Sequence, residues 1–142
     1  MQAEAGPDAP ATQGESMTKR TNISSGSKWE PLLGYSRAVV AGNTVYVSGT
    51  VGALPDGSVP EGPYAQAVRA LEIIRDALAQ AGTDLSNVVR TRVFMTDMSH
   101  FDAVAKAHGE VFGDIRPATT LVEVSRLVDA AFLVEIEAVA VL

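Results

Sequence analysis

From Thr44 to Ser48 apolar and polar residues alternate strictly, with Val45 and Val47 on one face and Tyr46 and Ser48 on the other. Alternation of period two is the mark of a half-buried strand. Gly42-Asn43 just before it signals a two-residue turn, so Ala38 to Ala41 is expected as the partner strand of a hairpin. Leu54-Pro-Asp-Gly57 reads as a further turn, with a flexible stretch running on to Gly62. The period then changes. Ala67, Leu71, Ile74, Leu78 and Ala81 fall on one stripe of a helix that opens near Pro63 and stops at Gly82, with Arg69, Glu72, Arg75 and Asp76 off the stripe.

Val88 to Met95 is the third strand. Ser99 and Asp102 are expected to cap a second helix, with Phe101, Val104, Ala105, His108, Val111 and Phe112 on one face and Gly113 at its end. Arg116-Pro117 favours an extended entry into a fourth strand, Ala118 to Val124, and Leu133 to Val141 forms the last. The order is therefore ββαβαββ. Two amphipathic helices beside such strands predict an α+β domain, a mixed or mainly antiparallel sheet with both helices on one face.

Each strand offers one apolar face to those helices: Val45 and Val47; Val89, Val93 and Met95; Val122 and Val124; Val134, Ile136, Ala138 and Ala140. The opposite face mixes Tyr46, Ser48, Arg90, Arg92, Thr119, Leu121 and Glu123 with Glu135, Glu137, Val139 and Val141. Two readings fit it. One is a solvated face with cross-strand ion pairs, each contributing under ~1 kcal/mol. The other is an oligomer interface with a polar pocket at its edge, because Leu121, Val139 and Val141 otherwise leave an apolar strip exposed.

Composition narrows the chemistry. A chain of 142 residues that is 46% hydrophobic suits one domain with one core. The net charge of −6 opposes a nucleic-acid surface, which draws its affinity from Lys and Arg. With no cysteine, disulfides, thiolate catalysis and Cys-ligated metals are excluded. His100 and His108 alone would need carboxylate help to bind a metal, and Ser48 has no evident His–Asp partners, so neither a metal nor a serine triad is expected. No apolar run nears the roughly 18 residues of a membrane span, and a cytoplasmic location is expected. Residues 1–27 are rich in Ala, Gly, Pro, Ser, Thr and Gln and lack a secretory pattern; they read as a disordered tail or a start-site extension, Met17 being a sensible alternative start. The domain is then 28–142. Asn22-Ile-Ser24 matches a glycosylation sequon, which means nothing without a secretory signal.

Four separated motifs carry a resemblance: Gly34-Tyr-Ser-Arg-Ala-Val39, Val45-Tyr-Val-Ser-Gly49, Arg116-Pro-Ala-Thr-Thr-Leu-Val-Glu-Val124 and Leu133-Val-Glu-Ile-Glu-Ala-Val-Ala140. In order and spacing they resemble the Rid/YjgF family over roughly Trp29 to Leu142. The resemblance implies a chorismate-mutase-like (YjgF-type) subunit, a homotrimer, and small-molecule sites in the clefts between subunits. It also implies hydrolysis of 2-imino or enamine acids to 2-oxo acids and ammonia, with no cofactor or metal. By the same resemblance Tyr35 lines the cleft, Ser48 and Gly49 form the ligand-proximal turn, and Glu135 positions water. The family's arginine, which follows a Pro-Ala pair and clamps the substrate carboxylate, is replaced by Thr119, its helical asparagine by Ala105, and its frequent glutamine by Arg37.

Removing a desolvated, charge-assisted clamp typically costs ~2–5 kcal/mol. That is about 30-fold to several-thousand-fold in affinity or rate. Weak or altered imine hydrolysis is therefore expected unless another cation replaces the clamp; Arg37 is the first candidate, with a structural role as its alternative. Glu135 and Glu137 could instead simply pair with Arg90 or Arg92, Tyr35 could be ordinary cleft packing, and His108 reads as a satisfied core or interface histidine. Two functions follow: a trimeric hydrolase with altered carboxylate recognition, or a non-catalytic trimer that binds a small metabolite in the same cleft. Ribonuclease activity is disfavoured by the acidic charge and the lack of a His-based acid–base pair.

Overall fold

The structure, a computed structural model, describes residues 19–142. Six strands form one mixed sheet: β1 (Arg20–Ile23), β2 (Ala38–Ala41), β3 (Thr44–Thr50), β4 (Val88–Met95), β5 (Ala118–Glu123) and β6 (Val134–Val141). Helices α1 (Trp29–Leu33), α2 (Pro63–Ala81) and α3 (Phe101–Phe112) complete it. The strand order is β1-β2-β3-β6-β4-β5, antiparallel throughout except that β4 and β5 are parallel. The α+β fold expected from the two periodicities is the fold observed.

The chain's last strand lies near the middle of the sheet. β6 pairs with β3 on one side and β4 on the other, so β3 and β4 run in the same direction with β6 between them. Parallel strands need long crossovers. α2 supplies one between β3 and β4, and α3 supplies the other between β4 and β5. The core lies between this helical layer and the sheet. Ala67, Ala70, Leu71, Ile74 and Leu78 of α2 are buried with Val45, Val93, Met95, Val134 and Ile136. Both helix termini of α2 follow the sequence signals: Pro63 stands at the first position, and Gly82, at φ 92°, donates its N–H to the Ala79 carbonyl. Gly42, at φ 63°, turns the β2–β3 hairpin.

Several expectations are corrected. Within the 1–27 segment expected to be a tail, residues 20–23 form the edge strand β1, paired with β2. Only Ile23 of that strand is buried, which is why no hydrophobic period marked it; residues 1–18 of the expected tail lie outside the described residues. α1 was not anticipated either, being one short turn closed by Gly34 at φ 83°, whose N–H reaches the Glu30 carbonyl. In β4, Val88 is buried and Val89 is 48% exposed, because the register with β6 shifts between Val88 and Arg90. Asp97 accepts from the Ser99 N–H and so caps the short 3-10 turn Met98–His100 that leads into α3, which has no side-chain cap of its own; Phe101 is exposed and Ala107 is in the core.

The largest correction concerns β5. Its parallel register sets Thr119 beside Thr91 and Leu121 beside Val93, residues of the helix-side face. Thr119, Leu121 and Glu123 therefore face the helices, and Val122, expected in the core, lies 39% exposed on the open face. Both faces of this edge strand are only partly covered, so hydrophobicity alone gave it the wrong parity. Arg116 enters β5 not in the expected extended conformation but at φ 59°, its N–H donating to the Phe112 carbonyl so that the chain reverses off α3. Among the described residues no helix is long and apolar enough to cross a membrane.

Gly52 is buried where α2 crosses β3, and an added Cβ would overlap the Gln66 carbonyl oxygen. Backbone cannot swing aside as a side chain can. Gly52→Ala is expected to lower stability by ~1–3 kcal/mol, read as a lower urea midpoint with an unchanged m-value.

Candidate functional site

β3 does not run straight into its pairing with β6. After Val47↔Ala138 the register slips, and pairing resumes at Thr50↔Ile136. Ser48 and Gly49 occupy this irregularity. Bulges re-aim side chains and bring backbone groups out of the ladder. The Ser48 hydroxyl donates to the Ser36 carbonyl at 2.6 Å, the Ser48 N–H donates to the Arg37 carbonyl at 3.0 Å, and the Thr50 hydroxyl donates to the Ser48 carbonyl at 2.7 Å. The turn is thus pinned from three sides.

Glu135 lies across from it, on the face of β6 turned away from the helices, where its neighbours in the strand, Val134 and Ile136, are fully buried. Its carboxylate sits directly over Gly49: a Cβ at that position would overlap Glu135 Oε2. A side chain at position 49 and the carboxylate cannot both be there. Burial pushes the Glu135 carboxyl above its usual range; the Arg37 guanidinium opposes that rise and the neighbouring Glu137 adds to it.

Arg37 adjoins the same bulge. It is 8% exposed, its Nη2 donates to the Gly49 carbonyl at 2.7 Å, and its guanidinium lies 5.7 Å from the centre of the Tyr35 ring. Its Nε is buried and finds no hydrogen-bond partner among the described residues. Arg37, the first candidate for a replacement carboxylate clamp, has one arm on the Gly49 carbonyl. Tyr35, Arg37, Ser48, Gly49 and Glu135 are brought together by the α1–β2 connection, the β3 bulge and β6.

Thr119 is not among them. It is two strands away on the opposite face, its hydroxyl donating to the Pro117 carbonyl at 3.2 Å and 2.8 Å from the Thr91 hydroxyl. His108 extends the same chain, with Nε2 2.9 Å from the Thr91 hydroxyl and its ring 4.7 Å from that of Phe112. Burial holds the His108 imidazole below its usual range. Thr119, His108 and Phe112 line a groove of about 290 Å³ together with Arg116 and Pro117. Sequence reasoning missed Thr91, the fully buried hydroxyl that joins Thr119 to His108. Its signal was a threonine between Val89 and Val93, on the parity expected to face the core. Among the described residues no group of three or more His, Asp or Glu is placed to hold a metal.

On the open face Glu137 pairs with Arg92 across β4 and β6, at the floor of a shallow groove that includes Tyr46 and Ser48. This is one of the ion pairs the sequence suggested; Glu135 is not part of it.

Residues 26–142 match the family described as Endoribonuclease L-PSP. The chain belongs to that family. Among solved structures it is similar to Mycobacterium tuberculosis Rv2704, a member of the YjgF/YER057c/UK114 family, at 45% identity and TM-score 0.81 over 87% of this chain and 100% of that one. It is 38% identical over 109 residues to the mouse 2-iminobutanoate/2-iminopropanoate deaminase, covering 75% of this chain and 80% of that protein. E. coli TdcF, solved with bound serine, is 26% identical with TM-score 0.72, over 84% of this chain and 92% of that one. The Rid/YjgF resemblance of the four motifs therefore stands, and the chain is related to imine deaminases.

Two outcomes are expected at this site. Gly49→Ala should fold, since only the mobile end of Glu135 must move, yet a crystal structure should show that carboxylate displaced from the bulge. The second follows from Glu135's raised pKa: above the unfolded value of about 4.5 the folded state holds its proton more tightly. Stability is therefore lost as pH rises through that interval and stays lower above it. Glu135→Gln removes this penalty, so the variant should melt higher than the parent at pH 7, with the gap closing toward pH 4.

Proposed function

We propose that this protein is a homotrimeric Rid-type hydrolase of small imine or enamine acids, with altered recognition of the substrate's acid group. The supporting observation is the seating of Glu135: a half-buried carboxylate of raised proton affinity, held over a glycine at a pinned bulge. Imine hydrolysis requires a water aimed at the C=N carbon and a proton delivered to nitrogen. Glu135 serves as the group that orients the water and moves that proton. Its raised proton affinity suits the role, because a carboxyl group that exchanges protons nearer neutrality is the better acid–base catalyst. Main-chain groups at Ser48 and Gly49 hold the substrate, and Tyr35 lines the cleft.

The trimer enters through geometry. Thr119 and Glu135 lie on opposite faces of one subunit, so a cleft containing both takes Thr119 from a neighbour. The open sheet face, with Tyr46, Val89 and Val122 exposed beside the Arg92–Glu137 pair, is the surface that the neighbours cover. Thr119 then offers one hydroxyl, already bonded within its own subunit, where a guanidinium would give a bidentate grip.

A second reading is a non-catalytic trimer that binds a small metabolite in the same cleft. The neutral residue at position 119 favours it, and the bound serine of E. coli TdcF gives it a precedent in a related fold. A polyanionic substrate is opposed by the net charge of −6.

Light scattering should report a trimer; a monomer would overturn the cleft. Purified trimer should accelerate hydrolysis of 2-iminopropanoate, and Glu135→Gln should reduce that rate by ~100-fold or more with the trimer intact. Thr119→Arg should raise it. No acceleration, together with a rise in melting temperature on adding small amino or keto acids, would replace the hydrolase by the binding trimer.

A further inference from the structure

Arg37 is the least explained charge in the molecule. A guanidinium that is 92% buried, with an Nε that meets no acceptor among the described residues, is unusual enough to call for a reason. It is not held there by an ion pair of ordinary geometry, for its one hydrogen bond among the described residues goes to a neutral carbonyl, that of Gly49. Two carboxylates nevertheless feel it, one on either side. Glu30 of α1 is buried and bound by the Ser24 hydroxyl at 2.8 Å and by the Ser25 N–H and hydroxyl at 3.0 and 2.6 Å. Glu135 has no hydrogen bond of that kind among the described residues, and burial acts on it against its charge.

The two acids differ in what their own partners supply. Burial raises the proton affinity of Glu30 as well, but the hydrogen bonds from Ser25 and Ser24, with the Arg37 charge as a smaller contribution, leave that carboxyl below its usual range. Glu30 thus draws on hydrogen bonds before it draws on Arg37. Glu135 is not so provided for. Glu137 on the same strand opposes its charge, Arg92 of β4 is engaged with Glu137, and β3 contributes only Gly49 and Ser48. Among the described residues Arg37 is the cation whose charge offsets the burial of Glu135.

We propose that Arg37 is a positioning residue for Glu135: its buried guanidinium, tied to the Gly49 carbonyl, both fixes the bulge on which the carboxylate rests and keeps that carboxylate available as an anion. The two duties share one side chain. Nη2 holds the Gly49 carbonyl, so the Cα over which Glu135 lies cannot drift, and the delocalised charge acts on the carboxylate across the same bulge. The Tyr35 ring beside it supplies an aromatic surface at a place where no carboxylate pairs with the guanidinium directly. This inference rests on the role given to Glu135 under the proposed function, but its test does not need that reaction to occur.

The test is the titration of Glu135 in the intact protein, followed by NMR with isotope at the glutamate carboxyl carbons and assigned by loss of the signal in Glu135→Gln. Arg37→Gln keeps an amide donor for the Gly49 carbonyl and removes the charge; its Glu135 midpoint should rise by about one pH unit, a tenfold gain in proton affinity. Arg37→Lys keeps the charge and should titrate within about threefold of the parent. An unchanged midpoint in folded Arg37→Gln overturns the proposal. Should Arg37→Gln fail to fold, the parent decides: the protected Arg37 Nε–H resonance should move with the Glu135 midpoint and stay still in Glu135→Gln, and an indifferent resonance overturns the proposal. If imine hydrolysis is found, the acidic limb of its pH profile should move upward in Arg37→Gln by the same amount. If it is not found, the proposed reaction fails while the titration still stands as the measure of this pairing.

Discussion

The insertion of β6 between β3 and β4 is the constraint on which the remainder of the molecule depends. That strand is a strict alternation over Val134–Val141, and each parity has its own task. Val134, Ile136, Ala138 and Ala140 close the sheet side of the core beneath α2. Glu135 and Glu137 are carried on the other face by the same backbone, so the points from which their side chains spring are as rigid as the core itself. A functional group on a central strand is placed by packing that would have to be disrupted to move it.

The consequences run outward in both directions. Toward β3, the ladder cannot stay in register around Ser48 and Gly49, and the resulting bulge makes room for the Glu135 carboxylate at the one residue that has no side chain. Toward β4 and β5, a second slip puts Val88 rather than Val89 in the core, and the parallel register of β5 sets Thr119 beside Thr91. Thr91 and Thr119 come to the helix side and join His108, while Arg90 and Arg92 go to the open side. The two polar assemblies of the subunit are thus separated by the thickness of the sheet. One has a carboxylate and a bulge, the other a hydroxyl chain and a groove.

Charge is distributed to suit this division. The Arg92–Glu137 pair lies on an open face that also exposes apolar side chains, and a pair of that kind contributes little where solvent reaches it. Arg37 is a different case, because it is buried and its neighbours are a carbonyl, an aromatic ring and two acids of unequal need. Interior charge is retained where something fixes it, and here the β3 bulge and α1 do so together. The Ser24 and Ser25 bonds to Glu30 tie the segment after β1 into the same arrangement, which gives the edge of the sheet a share in the geometry of its centre.

The sequence by itself determined the elements whose signal is local: the β2–β3 hairpin from alternation and Gly42, the bounds of α2 from Pro63 and Gly82, and the apolar parity of β6. Its motifs also determined the family, because four separated segments agreed in order and spacing. Only the tertiary structure decided the parity of β5, the exposure of Val89 and the existence of β1, since edge strands and bulges take their register from neighbours far away in the chain. It also decided that Arg37 bonds the Gly49 carbonyl and that Thr119 and Glu135 are on opposite faces. Residue type tells which chemistry is available, but the face a side chain occupies is set by which strands pair, and that pairing is written across the whole chain rather than in any one stretch of it.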